Sequence, residues 1–129
     1  MRHMKNKTLK ELIEVLGFQC LTSPSLLDKP ISGAYTSDLL SDVMGKAQPG
    51  MVWITSQTHK NIVAVASLIE LCAIVVVNER TPNEDTLETA NQEQVVVIQS
   101  DNPVFETTGL IYNFLKDLNK QGDLPRSNE

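Results

Sequence analysis

Two short runs in this chain, Ile74-Val75-Val76-Val77 and Val95-Val96-Val97-Ile98, are apolar at every position and β-branched throughout. A strand with one face in water alternates apolar and polar side chains. A run with no alternation needs cover on both faces, as the central strands of a parallel sheet have between two layers of helices. The chain has 129 residues, enough for one ordinary domain that buries roughly two-thirds of its unfolded surface.

The surrounding segments supply the helices. Leu9, Leu12, Ile13 and Leu16 follow the spacing of one helix face, with Thr8 and Glu11 placed to form a capping box and Gly17 to supply a left-handed stop. A short strand is expected at Phe18 to Leu21, then a Ser- and Pro-rich loop, then a strand at Ile31 to Tyr35. Ser37 or Asp38 is placed to cap a helix carrying Leu39, Leu40, Val43, Met44 and Ala47, and Pro49-Gly50 makes a turn. Met51 to Thr55 reads as a strand, followed by a long helix from about His59 to Ala73. Between the two β-branched runs lies a polar helix with Thr81, Pro82 and Glu84 in capping-box order. Asn102-Pro103 opens the last helix, with an apolar stripe through Val104, Ile111 and Leu115.

The order predicts a single α/β domain with a mainly parallel sheet of about five strands flanked by helices, the two early strands pairing antiparallel at one edge. The domain is placed at residues 5–118, with a frayed tail over 119–129.

Composition narrows the function. Sixteen acidic residues against eleven basic ones give a net charge of -5, which argues against a nucleic-acid partner. Cys20 and Cys72 are far apart in sequence and lie among apolar residues, as reduced buried thiols do in a cytoplasmic protein. No apolar run nears the ~20 residues of a membrane span, and no signal-peptide pattern opens the chain. A P-loop would need glycine where Leu40 stands before Gly45-Lys46, and a hydroxyl where Ala47 stands. The dinucleotide, nucleophile-elbow, zincin and EF-hand patterns are missing as well, so no catalytic residue, metal or cofactor is assigned.

Ligands of open α/β sheets bind beyond the carboxyl ends of the strands. Candidate ligand-binding residues are therefore Thr36 and Ser37 after one strand, Ser56, Gln57, Thr58, His59, Lys60 and Asn61 after the next, and Ser100 after the last. Each group leads into a helix N-terminus, whose free amides attract anions, and His59 and Lys60 add donors. The same residue types also cap helices and do nothing more. Asp38 and Asp101 oppose an anion unless Lys60 or Arg80 offsets them. His59 has no companions at metal-ligand spacing.

Two features point to partners. The segment from His59 to Ala73 is apolar on nearly all sides; a neighbouring helix or an identical subunit would cover its outer face, and a homodimer is the expectation. Residues 78–101 hold six acidic side chains against Arg80 alone, the whole of the net charge, as a docking face or a solvated one.

The stretch from Ile31 to Met44 (ISGAYTSDLLSDVM), Trp53-Ile54-Thr55, and His59 to Ala66 (HKNIVAVA), with the later Val104-Phe105-Glu106-Thr107-Thr108, resembles small stand-alone DRTGG-domain proteins. The resemblance covers about Lys5 to Leu118. The namesake letters differ: the Asp-Arg position falls near Ser56-Gln57-Thr58, and Thr-Gly-Gly on Val77-Asn78-Glu79, so no role attached to those glycines carries over. The resemblance implies a fold similar to the N-terminal domain of HPr kinase/phosphorylase. It also implies a bacterial, non-catalytic regulatory or scaffolding module acting on a metabolic partner protein. The alternative is a sensor of a small anionic metabolite or nucleotide at the strand ends.

Overall fold

The computed structural model describes residues 7–120, with side chains to residue 116. Helix α1 (Leu9–Leu16) leads to strand β1 (Gln19–Cys20), a single 3-10 turn (Pro24–Leu26) and strand β2 (Gly33–Thr36). Four helix-containing steps follow: α2 (Leu40–Lys46), β3 (Met51–Thr55), α3 (Asn61–Ile69), β4 (Ala73–Val76), α4 (Glu84–Gln92), β5 (Val97–Gln99) and α5 (Val104–Lys120). The five strands form one sheet in the order β1-β5-β4-β3-β2. β2, β3, β4 and β5 are parallel, with Thr36 opposite Ile54, Ile54 opposite Val75 and Val75 opposite Ile98. β1 runs antiparallel to β5.

The β-branched runs serve both faces, as their lack of alternation requires. Val52, Ile54, Val75, Val77, Val96 and Ile98 point toward Leu9 and Leu12 of α1 and Ile111 and Phe114 of α5. The intervening Trp53, Ile74, Val76 and Val97 point the other way, onto Val43 of α2, Ile62, Val63 and Ala66 of α3, and Ala90 of α4. Each buried Val or Ile contributes about 1.5–3 kcal/mol relative to exposure. The result is three layers with the two terminal helices on one face and the three crossover helices on the other.

Local sequence sets several boundaries. The Thr8 hydroxyl accepts from the Glu11 amide at 3.3 Å, and the Glu11 carboxylate accepts from the Thr8 amide at 2.8 Å. Gly17 takes φ 72° and its amide closes α1 on the Ile13 carbonyl. Gly50, at φ 83°, has the Ser32 hydroxyl 2.8 Å from where a Cβ would sit, so no other residue fits that turn without displacing Ser32.

Four expectations are corrected. The two early strands do not pair; they occupy opposite edges of the sheet, because β2 joins β3 in parallel and β1 reaches across to β5. The long helix ends at Ile69, not Ala73: Glu70 takes a left-handed turn (φ 63°), Leu71 and Cys72 lie between elements, and Ala73 begins β4. An apolar helix end runs straight into an apolar strand there, so periodicity has nothing to mark the join. Neither Ser37 nor Asp38 caps α2 at its N-cap; Leu39 holds that place, and the Ser37 hydroxyl accepts from the Leu39 amide one step outside the helix. α4 starts after Asn83 with no side-chain cap, while the Thr81 hydroxyl accepts from the Gln99 amide group. The expected tail from residue 121 onward lies outside the described residues.

Glu70 is exposed and left-handed, the position where helices usually place glycine. Glu70→Gly relieves about 1–2 kcal/mol of left-handed strain against about 0.4–1 kcal/mol of added unfolded-chain freedom. Chemical denaturation should show a net gain of about 0.5–1 kcal/mol. Thr8→Ala, which removes the α1 cap, should lose about 1 kcal/mol in the same assay.

Candidate functional site

All four parallel strands end on one rim of the sheet, and Asp38, just beyond β2, organises it. One carboxylate oxygen accepts from the Thr55 hydroxyl and the Ser56 amide, both at 2.7 Å; the other accepts from the Ser56 hydroxyl at 2.7 Å. The Asp38 carbonyl accepts from the Gln57 side-chain amide at 3.1 Å, and the Trp53 indole donates to the Ser37 carbonyl at 2.8 Å. Asp38 thus stitches the β2–α2 loop to the β3–α3 loop. Partial burial alone would raise its pKa, but the Ser56 amide, the Thr55 and Ser56 hydroxyls and the charge of Arg80 outweigh it and hold the carboxyl below its ordinary value.

The next strand end is fastened in a different way. The Thr58 carbonyl accepts from the fully buried Thr86 hydroxyl at 2.9 Å. His59 Nδ1 and the Asn83 side-chain nitrogen are 3.4 Å apart. After β4 the chain takes two consecutive left-handed residues, Asn78 (φ 65°) and Glu79 (φ 58°). These are the two positions onto which the family resemblance places glycines, and the backbone there has the geometry that glycine tolerates at least cost. The Asn78 amide donates to the Asn102 carbonyl at 2.9 Å, and the Gln99 side chain donates to the Arg80 carbonyl at 2.7 Å, so the last loops are also cross-tied.

The nine candidate residues therefore divide into groups. Ser37, Ser56 and Gln57 surround Asp38. Thr58 and His59 meet the start of α4, while Lys60 and Asn61 face a groove of about 670 Å³ between α3 and α4. Thr36 lies on the opposite face, its hydroxyl 3.1 Å from that of Thr108 on α5. Ser100 is wholly enclosed and shares a 2.8 Å hydrogen bond with Thr107, fastening the entry to α5. The sequence analysis missed the organising role of Asp38, the buried Thr86 and the Asn83 contact. The signal for the first was an Asp and a Ser after two successive strands, legible once those strands are known to be neighbours.

Cys72 stands at the opposite end of the sheet, just before β4, where its thiol donates to the Pro30 carbonyl at 3.4 Å. Burial pushes the Cys72 thiol up to about 11, with Lys29 opposing, so it is protonated at neutral pH. Among the described residues no cluster of three or more metal-binding side chains occurs, and no helix is long and apolar enough to cross a membrane.

No family model and no curated protein sequence matches the chain. Among solved structures, it is similar to the CBS and DRTGG domains of the regulatory region of Clostridium perfringens pyrophosphatase, complexed with the activator diadenosine tetraphosphate. The TM-score is 0.69 at 16% identity, over 84% of this chain and 47% of that one. The chain thus spans about half the length of that regulatory region, and the likeness establishes a shared α/β fold.

Asp38 gives the rim a pH signature. A carboxyl depressed by folding adds stability above its unfolded pKa of about 3.9, and that stability is lost as pH falls through the lower folded value. Denaturation midpoints followed downward from pH 5 should fall more steeply for the wild type than for Asp38→Asn. Asp38→Ala leaves the enclosed Thr55 hydroxyl without its acceptor and should cost about 1–3 kcal/mol at neutral pH.

Proposed function

We propose that this chain is a non-catalytic regulatory or scaffolding module, bacterial and cytoplasmic, that acts on a metabolic partner protein. The observation that carries this reading is the use of the strand-end side chains. The hydroxyls of Thr55 and Ser56 are committed to Asp38, those of Ser100 and Thr107 to each other, and that of Thr86 to a backbone carbonyl. Groups spent on fastening loops build a rigid surface rather than a reaction centre. Fold likeness to a pyrophosphatase regulatory region supports the same reading. So does the sequence resemblance to DRTGG-domain proteins, which extends it to the N-terminal domain of HPr kinase/phosphorylase.

The second reading is a sensor of a small anionic metabolite or nucleotide. It is favoured by the exposed donors on the rim: Arg80, close enough to act on Asp38, and His59 and Lys60 at the start of α3. In this reading Ser56, Thr58, His59, Lys60 and Asn61 contact the ligand, and Arg80 offsets the charge of Asp38.

Thermal unfolding in the presence of adenine nucleotides, sugar phosphates and acyl phosphates separates the two. A ligand at ~100 times its Kd adds about 2.7 kcal/mol, several degrees for a domain of this size. If the module acts through protein contacts, no compound shifts the midpoint. A shift that disappears in Lys60→Glu, with the variant's own stability unchanged, replaces that reading with the sensor. Turnover of any of these compounds that is lost in His59→Ala would overturn both.

A further inference from the structure

The acidic excess of residues 78–101 and the outer side of α3 meet at one place, the groove of about 670 Å³ between α3 and α4. Ala64, Ser67 and Leu68 line its α3 side, Thr89 and Glu93 its α4 side, with the buried Val63 at the base and Lys60 at one end. The two helices run side by side in the same direction, each crossing between neighbouring parallel strands. Ala64, Ser67 and Thr89 are small, which leaves a trough about as long as α3, roughly 13 Å for its nine residues. Leu68 is 73% exposed beside it. The α4 wall is acidic. Asp85, Thr89 and Glu93 recur at four-residue spacing on one side of that helix, while Glu84 and Glu88 share a stripe turned away from the groove. α4 has no basic residue, and among the described residues the only ion pair is that of Lys46 with Asp42 on α2, so none of the α4 carboxylates is paired among them.

Given a module that acts through protein contacts, as proposed above, we infer that this groove binds a lysine- or arginine-rich amphipathic helix of the partner protein. Its apolar face lies on Val63, Ala64 and Leu68, and its cationic edge runs along Asp85 and Glu93. Both properties of the occupant follow from the walls. The backbones of α3 and α4 are satisfied within their own helices, so the groove offers no row of main-chain partners. A chain lying in it must satisfy its own backbone, as a helix does and an extended segment does not. Opposite charge follows from the acidic wall. A second copy of this chain carries the same α4, and a two-fold contact here would set carboxylates against carboxylates, on molecules that each have a net charge of -5. Lys60 fixes the direction. It stands where α3 begins, so the partner helix lies antiparallel to α3, with its last carbonyls toward Lys60 and its first turn toward Glu93.

Fluorescence anisotropy of the 129-residue chain tests this, with a labelled helical peptide of about four turns that has leucines on one face and lysines flanking them. The peptide should bind, and the same peptide with glutamate for lysine should not. Glu93→Lys should weaken binding about tenfold or more, as should Ala64→Gln, which fills the groove without changing charge. Glu88→Lys changes the net charge as much as Glu93→Lys does, but away from the groove, and should alter affinity less than about threefold. All three side chains are exposed, so the variants keep the fold, as unchanged thermal midpoints will show. No binding of the lysine peptide, equal losses from Glu88→Lys and Glu93→Lys, or full binding by Ala64→Gln overturns the proposal. Self-association of the wild type that Ala64→Gln abolishes makes a second copy the occupant and overturns it too. Each of these outcomes leaves the regulatory module standing; that reading fails separately, on a thermal shift by a nucleotide or phosphorylated compound, which leaves peptide binding as it was.

Discussion

Burial of the central strands on both faces is the constraint from which the rest of this structure follows. Ile74, Val75 and Val76 are each fully enclosed, although neighbours along a strand point to opposite sides. Both sides therefore need a helix layer. The parallel strands β2 to β5 sit side by side in chain order, and right-handed crossovers in one direction send every connecting helix to the same face. α2, α3 and α4 fill that face and none is left for the other. Cover for Val52, Ile54, Val75 and Ile98 comes from outside the crossovers, from α1 before the parallel strands and α5 after them. The two terminal helices are as necessary to the core as the strands.

The same topology limits what the strand ends can do. Doubly wound sheets bind ligands where the strand order reverses and two loops diverge to leave a crevice. Here the order never reverses among the parallel strands, so adjacent loops run in step and close on one another. Asp38 ties the first pair, Thr86 and Asn83 the second, and Asn102 and Gln99 the third. The rim is a fastened surface with cations on it. In the proposed sensor reading a ligand therefore rests against this surface, beside Arg80, His59 and Lys60, instead of entering between strands.

How much of this was legible depends on the range of the interaction. The capping box of Thr8 and Glu11, the Gly17 stop and the strand Met51 to Thr55 stand where the sequence places them, because each is decided within a few residues. The end of α3 was hidden because Glu70, not glycine, makes its left-handed turn, and the apolar run continues through it into β4. The turn after β4 was hidden for the same reason, with Asn78 and Glu79 in glycine-like backbone. Strand order decided the rest. Asp38 reads as a helix cap until β2 and β3 are known to be neighbours, and then its position beside Ser56 is a consequence of their register. Of the nine candidate residues, Thr36 and Ser100 are set apart from the Asp38 cluster by that three-dimensional order: one turns to the α5 face, the other closes beneath α5.

The uneven helix layers also explain why a groove opens beside β2. Three helices cover one face of five strands, but only two cover the other. α1 and α5 pack against each other over the middle of the sheet, and β2, at the edge, extends past them with Gly33, Ala34 and Thr36 beside an open groove. A sheet edge of this kind invites pairing with other chains unless it is short, charged or covered. β2 has four residues and no charge, and on the neighbouring side of α5 Tyr112 and Lys116 line the groove, with the Lys116 ammonium 5.6 Å from the centre of the Tyr112 ring. Glu84, Asp85 and Glu88 lie on α4, in the helix layer of the far face. Exposed apolar side chains stand on both faces, Leu39, Met44 and Leu68 on the crossover side and Phe105 and Tyr112 on α5. What sets the terminal-helix side apart is the topology, which forces α1 and α5 to complete the core.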